Sequence, residues 1–257
     1  MNSGIGYVLS GGGARGFAHL GVLQFLEEAG IRPSAISGVS AGAIAGALYA
    51  GGLSPQAILK LLQGSQYFGW SSFAWQRRAL FTLEVLKKIL IQAIPEDDFS
   101  ALKIPFFAGA TDILAGEPVC ISTGNLSSAV CASAAVPLIF EPVQRGTHLL
   151  VDGGVMNNFP VEPLADKYSK LIGVHVNKLE PVNDSKQLKS PSVLIDRCFH
   201  LAIASSVYEK AAKCDIFIDV PLQHIPMFDI KQAPKIFDAG YATAREKAGE
   251  LKQLILI

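Results

Sequence analysis

Apolar and polar positions along the chain switch between a strand-like run and a helical period, and the switching predicts strands that feed helices. Residues 5–10 (IGYVLS) form a short apolar run of strand length. Residues 17–29 then bring Leu20, Val22, Leu23 and Leu26 near one face of a helix. Residues 34–39 (SAISGV) predict a second strand, and 41–51 a helix made of small residues. Ser54 has N-cap character ahead of Pro55 at a first helical position, for a helix to about residue 62. Further on, 82–93 predicts a helix, and 104–113 and 117–123 predict strands joined at Ala115–Gly116. Residues 126–135 predict a helix stopped by Pro137, 148–154 a strand entering a turn, and 170–176 a buried strand. A long helix over 191–214, a last strand over 215–220 and a helix over 234–254 complete the pattern. The polar stretch 177–190 reads as a loop rather than a boundary, and there is no internal repeat, so residues 1–257 read as one domain. Strands alternating with helices predict an α/β fold with a mostly parallel sheet covered on both faces. In such sheets functional groups gather at the carboxyl ends of the strands.

Composition narrows the class. Half of the residues are hydrophobic, 17% are charged, and Lys+Arg balance Asp+Glu at 22 each. That balance argues against a nucleic-acid partner, which calls for a basic excess. The uncharged stretches 33–59 and 118–140 are rich in Gly, Ala and Ser and interrupted by proline, which suits a packed interior better than a membrane span. The four cysteines, Cys120, Cys131, Cys198 and Cys214, show neither CxxC nor metal-ligand spacing, so they read as buried thiols and no metal or cofactor is expected. With no signal-peptide pattern at residues 1–20, the expected location is cytoplasmic.

Three polar features fall where strands should end. Gly38-Val39-Ser40-Ala41-Gly42 fits G-x-S-x-G between a strand and a helix. A serine on that sharp turn needs glycine two residues to either side, and the helix N-terminus favours negative charge at its oxygen. The plainer alternative is Ser40 as an N-cap. A serine nucleophile needs a base. Of the histidines, His175 lies in an apolar strand and His200 in a helix, leaving His224, in PLQHIPMF, as the one on a plausible loop for a Ser–Asp–His triad. Asp152, ending LLV ahead of Gly153-Gly154, is the stronger candidate. It could take the serine proton directly if burial raised its pKa; the plainer alternative is a β-turn with an Asx hydrogen bond.

The loop SGGGARG, residues 10–16, lacks the spacing and lysine of a Walker A loop, and its G-x-G-x-x-G match stands without a well-placed acidic residue downstream. A nucleotide-binding module remains the reading from another class. Successive N–H groups at a helix N-terminus serve equally as an oxyanion hole, and the nearby nucleophile candidate tips the choice that way.

Together these pieces resemble the patatin-like phospholipases. The family's G-G-G-x-R-G loop stands here as residues 11–16, its G-x-S-x-G turn as 38–42 and its D-G-[GA] aspartate as 152–154. ASAAVPLIFEP at 132–142, GATDI at 109–113 and NNFPV at 157–161 add to the likeness, which runs to about residue 176. The resemblance implies a single three-layer α/β/α domain that acts on acyl esters of lipids or small esters. Ser40 and Asp152 would form a dyad, Gly11, Gly12 and Gly13 the oxyanion hole, and Arg15 would shape that loop and add positive potential. Gly38 and Gly42 would form the nucleophile turn. A serine thioesterase or acyltransferase using His224 is the alternative within enzymes. Residues 65–81 place Trp70 and Trp75 beside Arg77 and Arg78, which suits a lid touching a lipid surface; packing onto the core is the plainer account. IPMFD, residues 225–229, is a second candidate for a wall of the acyl pocket.

Overall fold

A computed structural model describes residues 2–64, 79–222, 224–227 and 229–256. Among these, eight strands form one sheet: β1 (Asn2–Leu9), β2 (Ala35–Val39), β3 (Phe106–Asp112), β4 (Glu117–Ile121), β5 (Val143–Arg145), β6 (His148–Asp152), β7 (Tyr168–His175) and β8 (Ile216–Asp219). Their order is β5-β6-β3-β2-β1-β7-β8, with β4 added on β3. The helices are α1 (Phe17–Glu28), α2 (Ala41–Ala50), α3 (Pro55–Gly64), α4 (Ala79–Ala93), α5 (Leu126–Ser133), α6 (Glu162–Ala165), α7 (Pro191–Ala211), α8 (Ala233–Glu246) and α9 (Ala248–Leu256).

The sheet is covered on both faces, and its side chains alternate between two cores. In β1, Tyr7 and Leu9 enter the large core with α1 and α2, whereas Val8 enters a smaller one with Phe159, Val161 and Leu164. In β7, Ile172 and Val174 join the first core and Leu171 the second. Both alternating sets are buried, so these strands read in the sequence as unbroken apolar runs. Each large side chain removed from water contributes about 1.5–3 kcal/mol.

The parallel prediction holds for β1 with β2 and β7, for β2 with β3, and for β7 with β8. It does not hold for the hairpin β3–β4 or for β6, which is antiparallel to β3 and to β5. β5 arises where no strand is predicted. The closing helix is two helices, because at Lys247 the backbone leaves helical angles (φ −92°, ψ 12°). Only Cys131 is a fully buried thiol; Cys214 is half-buried and Cys120 and Cys198 are exposed. Ser54 does cap α3, accepting the Ala57 N–H at 3.2 Å. No helix among the described residues is long and apolar enough to cross a membrane. The suggested lid, with Trp70 and Trp75, lies mostly outside the described residues.

One detail of register positions the site. On one flank of β3, Ala108 and Gly109 pair with Gly38 and Val39 of β2, while β4 occupies the other flank. From Ala110 onward β4 continues, and β6 takes the place of β2, with Ala110 opposite Asp152. The strands β2 and β6 therefore share one flank of β3, run toward each other and stop one residue apart. Ser40 follows the end of the first, and Asp152 ends the second.

Candidate active site

Ser40 occupies the turn between β2 and α2 with φ 53° and ψ −122°. A residue with a β-carbon rarely adopts such angles, and the flanking residues make them feasible. A β-carbon on Gly38 would lie 2.5 Å from the Gly42 carbonyl oxygen, and one on Gly42 would lie 2.4 Å from that of Leu9. The Ser40 hydroxyl makes no capping hydrogen bond, so the N-cap alternative is not what this turn shows. The Ser40 N–H donates to Ser133 Oγ at 2.9 Å, and the Ser133 hydroxyl donates to the Gly109 carbonyl at 2.5 Å. Ser133 thus ties the turn to β3.

Asp152 is 6% exposed. Its Oδ1 accepts the Gly154 N–H at 2.7 Å, and its own N–H donates to the Ala135 carbonyl at 2.9 Å. The Asx hydrogen bond of a plain turn is therefore present, and it uses one oxygen only. Oδ2 is buried without a hydrogen-bond partner. Burial pushes the carboxyl up to about 6; the neighbouring Ser40 hydroxyl and the Gly154 N–H pull it partly back.

The glycine loop is braced from three directions. Gly11 donates to the Asn158 carbonyl at 3.3 Å, and its own carbonyl accepts from Asn177 Nδ2 at 2.6 Å. Arg15 is buried and donates through Nε to the Ile225 carbonyl at 2.8 Å and through Nη1 to Asn177 Oδ1 at 3.1 Å. The Ala14 N–H donates to the Met227 carbonyl at 2.6 Å. Residues 225–227 thus strap the loop. Of the segment 225–229 expected as an acyl-pocket wall, the described residues do not line the cavity at Ser40, whereas the adjacent Ile230 does; Phe228 lies outside the described residues. That cavity, about 120 Å³, is lined among the described residues by Phe17, Leu20, Ala45, Leu86, Ile89 and other apolar groups, together with Ser40.

The histidines are engaged elsewhere. His19 Nε2 donates to the Ser10 carbonyl at 2.8 Å, and burial lowers its pKa to about 4, which keeps the ring neutral beneath the loop. His148 pairs with Asp112 at 2.6 Å and His175 with Asp219 at 2.8 Å. His200 lies in α7, and His224 is exposed on its turn. Among the described residues none of them hydrogen-bonds to Ser40 or Asp152, so the triad residues are not brought together. Nor do three His, Cys, Asp or Glu side chains gather there as a metal group. Sequence reasoning singled out neither Ser133 nor Asn177; both are ordinary polar residues whose partners are more than 20 and 160 positions away in the chain.

The family model for patatin-like phospholipases matches residues 7–165. The chain belongs to this family. A Mycobacterium tuberculosis protein described as an uncharacterized NTE family protein is 35% identical over 196 residues, covering 71% of this chain and 52% of the relative. The lysophospholipase NTE1 of Cryptococcus neoformans is 35% identical over 168 residues, covering 63% of this chain and 10% of that protein. The chain thus spans about half the length of the mycobacterial relative and a tenth of the fungal one. VipD from Legionella pneumophila shares the fold, with TM-score 0.58 at 16% identity over 96% of this chain and 67% of VipD.

Two outcomes follow for the patatin-like site. Replacing Ser133 with Ala leaves the buried Ser40 N–H unpaired and should cost about 1–3 kcal/mol in a urea denaturation experiment. Asp152 has a native pKa near 6, above the ordinary value of about 3.9. Its neutral form therefore favours the folded state, and that stability is present below about pH 4 and lost as the pH rises through 6. Asp152→Asn removes the penalty, so its stability gain over wild type should be absent below about pH 4 and reach on the order of 3 kcal/mol above pH 6. A gain independent of pH would refute the assignment of a raised pKa.

Proposed function

We propose that this patatin-like chain hydrolyses carboxylic acyl esters of lipids, of the phospholipid or lysophospholipid class, through a Ser40–Asp152 dyad. One observation carries the reading: a buried carboxylate of raised pKa stands beside a strained serine whose hydroxyl partly offsets that rise, at an apolar cavity. The described lysophospholipase activity of the fungal relative supports the choice of substrate class.

In this reading Ser40 Oγ attacks the ester carbonyl carbon while Asp152 takes its proton. With a pKa near 6 the carboxylate is ionised at neutral pH and yet basic enough to work without an intervening imidazole. The carbonyl oxygen becomes an oxyanion and is held by the N–H groups of Gly12 and Gly13, the Gly11 N–H being given to the Asn158 carbonyl. Those of Gly12 and Gly13 have no hydrogen-bond partner among the described residues, and the N-terminus of α1 adds its dipole. Arg15, hydrogen-bonded to the Ile225 carbonyl and to Asn177, holds the loop in shape. The proton on Asp152 passes to the leaving alcohol, and water then cleaves the acyl-Ser40 ester by the same route. The acyl chain lies along Leu20, Ala45 and Ile89, where each buried methylene contributes about 0.8 kcal/mol. Such a substrate implies transient contact with a lipid surface, for which Trp70 and Trp75 are the candidate side chains.

A panel of phospholipids, lysophospholipids and p-nitrophenyl esters tests the proposal. Ser40→Ala and Asp152→Asn should each lose about a thousandfold or more in kcat, whereas His224→Ala should keep near wild-type turnover. Full activity in either dyad variant would sink the reading. Because the base must be ionised in the free enzyme, kcat/KM should fall about tenfold per pH unit below 6 and level off above it. Ala45→Phe should fill the cavity and depress kcat/KM for long acyl chains while sparing acetyl and butyryl esters. An equal effect at all chain lengths would place the acyl chain elsewhere.

A further inference from the structure

Leu138 is the most exposed large apolar side chain among the described residues, at 94%, and its backbone is held at φ 71°. A leucine in that left-handed region is strained, and a side chain standing in water gains no packing to offset the strain. The turn that presents it is short and closed. The N–H groups of Ile139 and Phe140 both donate to the Val136 carbonyl, at 3.1 and 3.0 Å. Val136 and Phe140 line the cavity at Ser40. Leu138 is therefore the tip of a turn whose two feet are cavity wall.

The sheet sets the level of this turn. Just before it the Ala135 carbonyl accepts the Asp152 N–H, and just after it Val143 pairs with Leu150, which lies opposite Asp112. The chain thus re-enters the sheet further toward the end where β2 stops. β3 runs the same way, past Gly109 at the level of Val39 and through Asp112 to Ile113 and Leu114, the exposed tip of its hairpin with β4. At about 3.3 Å per residue, Leu114 stands roughly 13 Å beyond Ala110. Both apolar tips are therefore presented at one end of the sheet. Cationic charge is sparse there. From Ile104 to Asp166 the only Lys or Arg is Arg145, and its guanidinium donates to the carbonyls of Thr123 and Asn125 at 3.0 and 2.8 Å. An anionic surface calls for a cluster of free cations, whereas a zwitterionic one is met by apolar side chains.

We propose that Leu138, together with Leu114, inserts into a zwitterionic phospholipid surface and sets the cavity at Ser40 against it, a contact separate from Trp70 and Trp75. The choice of occupant rests on the lipid-ester reading of the site. An acyl chain leaving a bilayer for that cavity avoids water only where apolar protein surface meets the membrane beside the cavity wall, and the turn Val136–Phe140 supplies such a place. Strain fits the same use: glycine would hold φ 71° at no steric cost, and what leucine adds there is an apolar side chain pointing out of the fold. The other exposed apolar stripe, with Leu194, Ile195 and Leu201 on α7, includes no residue that lines the cavity.

Leu138→Gly removes the side chain and relieves the backbone, so its Tm should equal or exceed that of wild type. Binding is read by co-sedimentation with phosphatidylcholine vesicles, each variant carrying Ser40→Ala so that no lipid is consumed. Leu138→Gly should weaken binding about ten- to a hundredfold, the loss expected when one leucine is no longer taken out of water. Leu114→Ser should weaken it too, and Leu201→Ser on α7 should leave it unchanged. Raising NaCl from about 0.1 to 1 M should not diminish binding, since no ion pairs are screened. With Ser40 intact, Leu138→Gly should lose hydrolysis of vesicle phosphatidylcholine and keep its turnover of dissolved p-nitrophenyl butyrate. Vesicle binding unchanged in Leu138→Gly would overturn the proposal, as would binding confined to anionic vesicles at low salt. Equal losses on vesicles and on the dissolved ester would overturn it and assign the turn to the cavity wall. Self-association that Leu138→Gly abolishes, with vesicle binding intact, would give the surface to a second copy of the chain. Failure of the hydrolase reading looks different: a wild type that cleaves no ester, yet whose vesicle binding falls in Leu138→Gly, upholds the surface and removes the reaction.

Discussion

The site depends on a constraint in the sheet: two strands of opposite direction share one flank of β3. β2 carries Gly38 and Val39 up to Gly109, and β6 brings Asp152 down to Ala110. Backbone hydrogen bonding alone thus brings a serine and an aspartate from more than a hundred residues apart to adjacent levels. Ser133, at the end of α5, then locks the level by bonding Ser40 and Gly109 at once. Side-chain chemistry at the site inherits its precision from this ladder.

The same arrangement explains how a carboxylate is given the basicity usually assigned to histidine. A strand end packed between α5, β3 and the glycine loop leaves Asp152 almost no water, and only the Ser40 hydroxyl and one backbone N–H offset its charge among the described residues. Desolvation dominates, and the pKa rises. The cost falls on stability, and in the proposed mechanism the gain falls on reactivity, a trade common at functional sites. His19 shows the complementary case. Burial lowers its pKa, so a neutral ring supports the Ser10 carbonyl without adding charge beneath the loop.

The parallel half of the fold was legible because its strands are buried on both faces and read as plain apolar runs. The antiparallel half was not. β5 is three residues long, half-exposed and of mixed polarity, so no period announces it. Ser40 and Asp152 were legible because sharp turns demand glycines at fixed offsets, which leave a written trace. Asn177 leaves none, since an asparagine acquires its role from whatever the fold sets against it; Ser133 lies within the ASAAVPLIFEP stretch, but nothing in those letters says that it bonds Ser40 and Gly109. The Asx hydrogen bond expected of a plain turn is present at Asp152 and occupies one carboxylate oxygen, which leaves the proposed role to the other.

The bracing of the glycine loop has a consequence for how the chain acquires its site. The residues resembling the family's signatures all lie before position 165, and the family match ends there. Yet the loop at residues 11–15 is held by Asn177, Ile225 and Met227. A nascent chain that has emerged only as far as the match carries the complete set of signatures while the loop still lacks three of its fastenings. The last third of the polypeptide, where no catalytic signature is written, is therefore what turns an inscription into a working cleft.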